Sequence, residues 1–419
     1  MSAYLPLNTV GSEGTDVWYH LITRFATVPS RSDTTLLDRA MSALTCVGLG
    51  QIKQDQQMLY HGTQLYNAAI RHMSSLIQRN VPTEELLYAT VIFQRLEPLF
   101  SPLGVEAWIA HAEGTNAFLR KCYRDAPNNP LVASIYQHQQ VLGVADPLES
   151  SRSPGKGPQS PTSIRDRPIR GIFDIFTAFK PILIAFKRID SSSFEACQTI
   201  LQDCIIHKDK INAWWTTQKL TLGPAPTPYP NYKSTCANMP STDSVFGPSY
   251  DFPSLMSARI HVLYWTSLSL IYPMIYQAKK LAMAHTQRSI SIDPHTDQDY
   301  MLSWFYADEA CRGIPYCLND TEKIWGAQSV MFPIAQASQI YSNIRWRGKF
   351  MWCQAAFTAI EGLGFGLAVC LREAALKHWL LSKTPAGVPG CTFPLCNEIP
   401  VRTTRPAGTT GRVVHLTGP

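Results

Sequence analysis

Residues 260–278, IHVLYWTSLSLIYPMIYQA, decide the fold: this is a long, strongly apolar stretch without a charge, held between Arg259 and Lys279. It is either a membrane span or the central helix of a large core. A span needs about 20 almost purely apolar residues. This stretch carries His261, Thr266, Ser267, Ser269, Pro273 and Gln277, which favours a buried helix and no membrane. The rest of the chain agrees. Of 419 residues, 45% are hydrophobic and 16% charged, so a sizeable core is within reach and disorder along the whole length is excluded. The net charge is +6, and half of it lies from Lys383 onward, where Lys383, Arg402, Arg405 and Arg412 face only Glu398. A body so weakly basic lacks the field of a nucleic-acid-binding domain. Collagen, coiled-coil, disulfide-miniprotein and histone-like classes are excluded as well.

Outward from this helix the pattern stays helical. On the N-terminal side, Trp18, Leu21, Ile22 and Phe25 recur at helical spacing behind Thr15. Leu36, Leu37, Ala40, Met41, Leu44 and Val47 form a second stripe, started near Ser32 or Asp33 and ended at Gly48. Leu59, Tyr66, Ala69, Ile70, Met73 and Ile77 form a third. Pro82 and Thr83 open a fourth helix that Glu97-Pro98 ends, and Trp108 to Leu119 make a fifth. On the C-terminal side helices are expected near 296–312, 320–347 and 349–381, following a helical block over about 172–218. Alternating runs with tight hairpin turns are missing, so strands have little support.

The predicted organisation is therefore all-α, an array of packed antiparallel helices. Length alone allows two to three units of about 150 residues, or one large one. We divide the chain into an N-terminal helical half (1–145), a Pro/Ser-rich linker (146–168), a C-terminal helical half (169–382) and a disordered tail (383–419). Residues 223–253 are a second Pro-rich stretch, extended at Pro224, Pro226, Pro228 and Pro230. The eleven cysteines include no Cys-x-x-Cys, and Cys46, Cys353 and Cys370 lie in apolar periodic segments as small buried hydrophobes. The opening MSAYLPLNTVGSEG has neither the basic nor the apolar part of a secretory signal, so a reducing compartment is expected.

Candidate chemistry is sparse. P-loop, nucleophile-elbow and His-Glu-x-x-His patterns are missing. Gly362, Gly364 and Gly366 fall inside an apolar helical run with no strand before them, which reads as close helix packing. Tyr276 and Lys280 have the Tyr-x-x-x-Lys spacing of some dehydrogenases but no dinucleotide-binding unit upstream. His111 and Glu113 point to different faces of one helix, and Asp297 with Asp299 reads as a helix opening before a metal pair. No catalytic, cofactor-binding or metal-ligating set is expected. Ser153 and Ser160, each before a proline and beside Arg152 and Lys156, are the candidate phosphorylation sites, against the blander reading of a plain linker.

Four stretches, taken in order, resemble one family. They are YATVIFQRLEPLF (88–100) with WIAHAEG (108–114), RIHVLYWTSLSLIY (259–272), ACRGIPYC (310–317), and the Gly326 to Phe332 segment followed by RWRGKFMWCQAA (345–356). They are similar to the fungal-specific transcription factor domain, the regulatory or middle-homology region of fungal binuclear zinc-cluster transcription factors, over about residues 33–380. The resemblance implies an all-α regulatory protein in the nucleus, controlling a gene set such as a secondary-metabolite cluster. Its partners would be other transcription proteins, among them a DNA-binding zinc-cluster factor. It also implies that Trp108, His111, Tyr264, Trp265, Pro315, Tyr316, Trp346 and Trp352 are packing residues. The six-cysteine module of that family is not visible, since the first cysteine is Cys46, and this leaves direct DNA binding doubtful. The rival readings are a truncated form of a complete zinc-cluster factor and a helical small-molecule-binding protein or enzyme. An enzyme is not expected, and the oligomeric state is not legible.

Overall fold

The computed structural model describes residues 35–80, 83–99, 111, 113–121, 135, 167–189, 193–285, 297–319 and 323–381. The helix expected over 18–25, Trp108, Ser153, Ser160 and the tail from 383 lie outside them.

The described chain is overwhelmingly helical. Helix α1 (Leu36–Lys53) is opened by a capping box, in which Thr35 Oγ1 accepts from the Asp38 amide and the Asp38 carboxylate accepts from the Thr35 amide. Its expected stripe is buried: Leu36, Leu37, Ala40, Met41, Leu44 and Val47. Gly48 does not end it. The helix runs on to Lys53 and stops where Gln54 turns left-handed (φ 54°). Asp55 then caps α2 (Gln56–Gln78). There Leu76, not Ile77, faces the core, and Ile77 is exposed. Helix α3 (Thr83–Leu96) gives way to a 3₁₀ turn at Glu97–Leu99, as the Glu97-Pro98 pair predicts. Residues 113–121 are helical.

The second block comprises α4 (Arg167–Lys187), α5 (Phe194–Gln218) and α6 (Leu255–Ala284), followed by α7 (Gln298–Cys317) and α8 (Lys323–Asn343). Helix α6 is the deciding stretch, and α4, α5, α7 and α8 pack around it. Its polar residues are satisfied locally: Thr266 Oγ1 donates to the Val262 carbonyl at 2.7 Å, and Ser267 Oγ to that of Leu263 at 2.8 Å. Among the described residues, no helix is long and apolar enough to cross a membrane.

Two further expectations need correction. The single helix over 349–381 is two, α9 (Arg347–Glu361) and α10 (Gly366–Leu381). Gly364 adopts φ +91°, a conformation that breaks a helix, while Gln51 of α1 approaches it closely. The Pro-rich stretch 223–253 is not an open linker. Thr227–Tyr229 (β1) pairs antiparallel with Ser249–Asp251 (β2), three residues each and too short to show alternation. The segment between the strands is clamped to the helices. Trp352 Nε1 donates to the Ser241 carbonyl at 3.0 Å, and Arg312 Nε to that of Pro248 at 2.7 Å.

Candidate functional site

The first cluster gathers around His111. The 3₁₀ turn after α3 places Glu97 inside the protein with a fully buried side chain, its Oε1 accepting from the Tyr66 hydroxyl and lying 3.1 Å from His111 Nε2. Among the described residues, the Glu97 Oε2 has no hydrogen-bond partner. Phe93 packs edge-on to Tyr66, with ring centroids 5.4 Å apart, and against His111 at 5.3 Å. Gln94 Nε2 donates to Thr115 Oγ1 at 2.9 Å and ties the 113–121 helix to α3. Burial, and then the Glu97 carboxylate, push the Tyr66 hydroxyl far above its ordinary pKa. The resemblance implies that His111 is a packing residue; in the structure its side chain keeps 15% exposure, and its neighbours are Glu97 and Tyr66.

A belt of rings lies along α6. Trp215 stacks on Tyr264 at 4.1 Å, and Tyr272 stacks on Tyr306 at 5.8 Å. Arg312 lies 4.0 Å over the Tyr250 ring, donates to Glu309 at 2.7 Å, and holds β2 against α7. Gly313 is needed beside it, because a Cβ there would stand 2.7 Å from Val262 Cγ2. His261 Nδ1 lies 2.8 Å from the Ser257 carbonyl, and burial lowers its pKa. The rings of α6 thus meet those of α5 and of the first half of α7.

A third cluster combines charge, rings and partial access to solvent. From α7, Asp308 accepts through Oδ1 from the Tyr341 hydroxyl of α8 at 2.8 Å, and through Oδ2 from Lys349 Nζ of α9 at 2.5 Å. The Lys349 ammonium is ringed by Trp346 (4.2 Å to the centroid), Phe246 (5.6 Å), Tyr341 (5.7 Å) and Trp304 (5.9 Å). Burial raises the Asp308 pKa, and Lys349 and Tyr341 oppose that rise. Tyr341 is fully buried and its hydroxyl reaches Cys311 Sγ at 3.8 Å. The Asp308 and Lys349 side chains keep 19% and 18% exposure. Such a set of groups binds a cation by charge and by ring faces together. The sequence singled out Trp346, but not Asp308, Tyr341 or Lys349. Three helices supply them, and only the four-residue step from Trp304 to Asp308 hints that ring and carboxylate share a face.

The other candidates resolve into structure. Asp297 caps α7 by accepting from the Tyr300 amide at 3.0 Å, and Asp299 pairs with Lys279. The Tyr276 ring packs on Tyr300, centroids 4.8 Å apart. The glycines at 362–366 form the break between α9 and α10, not a helical packing face. Among the described residues, no group of three His, Cys, Asp or Glu side chains is placed to hold a metal ion. No family model matches the chain, and neither a curated protein nor a solved structure matches it.

Proposed function

We propose that the chain is a transcription-factor-like regulator of a gene set, such as a secondary-metabolite cluster, acting in the nucleus through protein or small-ligand contacts of its helical body. The observation that carries this reading is where the four resembling stretches lie. Arg95 of the first donates to Gln328 of the fourth. Gly313 of the third packs on Val262 of the second. Gln94 and Glu97 of the first hold His111. The stretches that carry the resemblance are therefore the stretches that hold one another in the core. A DNA-binding zinc-cluster factor is the partner this reading assigns.

Fusing the full chain to an unrelated DNA-binding module upstream of a reporter tests it. Activation or repression of about fivefold or more is expected, since recruitment then bypasses the partner. A reporter that does not respond, with the fusion verified in the nucleus, would overturn the reading.

A further inference from the structure

Lys349 lies in the first turn of α9, where the positive end of the helix dipole disfavours a cation, with Arg345 and Arg347 close in sequence. An ammonium stays there only if its surroundings compensate. They do, through the Asp308 carboxylate and the four rings of Phe246, Trp304, Tyr341 and Trp346. This enclosure is complementary to the ammonium itself, not to the aliphatic stem that delivers it. One side is open to water, as the partial exposure of Asp308 and Lys349 shows. On that face of α7, Met301, Trp304, Phe305 and Asp308 follow one another at helical spacing, with Met301 and Phe305 exposed.

We propose that the cage is a binding site for a small organic ammonium, with Lys349 as a resident occupant that the ligand displaces. The rings offer mainly their faces, with the Tyr341 hydroxyl already engaged by Asp308, so an alkylated nitrogen suits them, while its charge is met by Asp308. Lys349 is on a flexible stem and regains hydration when it leaves. The proposal does not rest on the regulatory reading.

Tetramethylammonium is the probe, with sodium chloride and tert-butanol as controls, on the full chain. Acetylation of Lys349 by an N-hydroxysuccinimide ester, read by mass spectrometry against Lys208, is expected to rise about threefold or more with tetramethylammonium alone. Tryptophan fluorescence is expected to show Lys349→Met binding the probe about tenfold tighter than the parent chain, and Asp308→Asn in that background reversing most of the gain. Flat or reduced acetylation overturns the proposal, as do equal affinities or an equal response to tert-butanol. Should Lys349→Met fail to fold, acetylation of the parent chain decides alone.

Discussion

His207 stacks on Phe179 at 5.1 Å, and burial, with Lys210 adding to it, lowers its imidazole pKa to about 4. The folded chain therefore keeps this ring neutral well below the pH at which the unfolded chain protonates it, near 6.5. The stability is present above 6.5 and is lost as pH falls from there toward 4, at about 1 kcal/mol per pH unit. Urea midpoints measured between pH 7 and 4.5 should fall accordingly, and His207→Gln should flatten that slope in part, since His261 and His378 shift in the same direction. At the Glu97 cluster, Tyr66→Phe withdraws a donor from a fully buried carboxylate, and equilibrium unfolding should show a loss of about 2 kcal/mol. The resemblance marks His111 as a packing residue but does not name what it packs against. Tyr66 lies on another helix, and Glu97 reaches inward only because Pro98 forces the chain into a turn.

Among elements, the 362–365 break is the instructive case. Apolar spacing continues through Ile360, Leu363, Leu367 and Leu371, so periodicity reads one helix where there are two. The glycines were the signal, and positive φ at Gly364 is their reason. Gly364→Ala should cost about 1–2 kcal/mol, visible as a lower melting temperature, because the new Cβ meets both a strained backbone and the Gln51 side chain. The β1–β2 pair escaped notice because three residues are too few to alternate and Pro228 argues against a strand; an edge position tolerates it. The segment between the strands is ordered by Trp352, so Trp352→Ala should expose 236–248 to proteolysis in the native chain, and unchanged cleavage there would count against that anchor.

At the scale of the whole molecule, helical periodicity sufficed for the all-α architecture and for α6 as its axis. It did not suffice for the contacts that join distant parts, such as Arg95 with Gln328, 233 residues apart, or the 3₁₀ turn at Glu97–Leu99 packed on α10. The Asp308–Lys349 cage was hidden for the same reason, being assembled from three helices and the Phe246 segment. These contacts imply that the early helices and the later ones unfold together. Circular dichroism and tryptophan emission should give coincident denaturation curves, and separated transitions would show that the linkage is weak.

Cys311, Cys317 and Cys353 are fully buried, on α7 and α9. Burial pushes the Cys317 thiol up to about 12 and the Cys353 thiol well above its ordinary value. The thiolate is the form that attacks a thiol reagent, and in the closed protein all three sulfurs are sealed off, while burial also holds Cys317 and Cys353 in the thiol form. Each sulfur can be alkylated only during moments when its own helix lifts away. The chain thus carries three internal stopwatches, and comparing them would time how often these two helices come loose, and whether they do so in step.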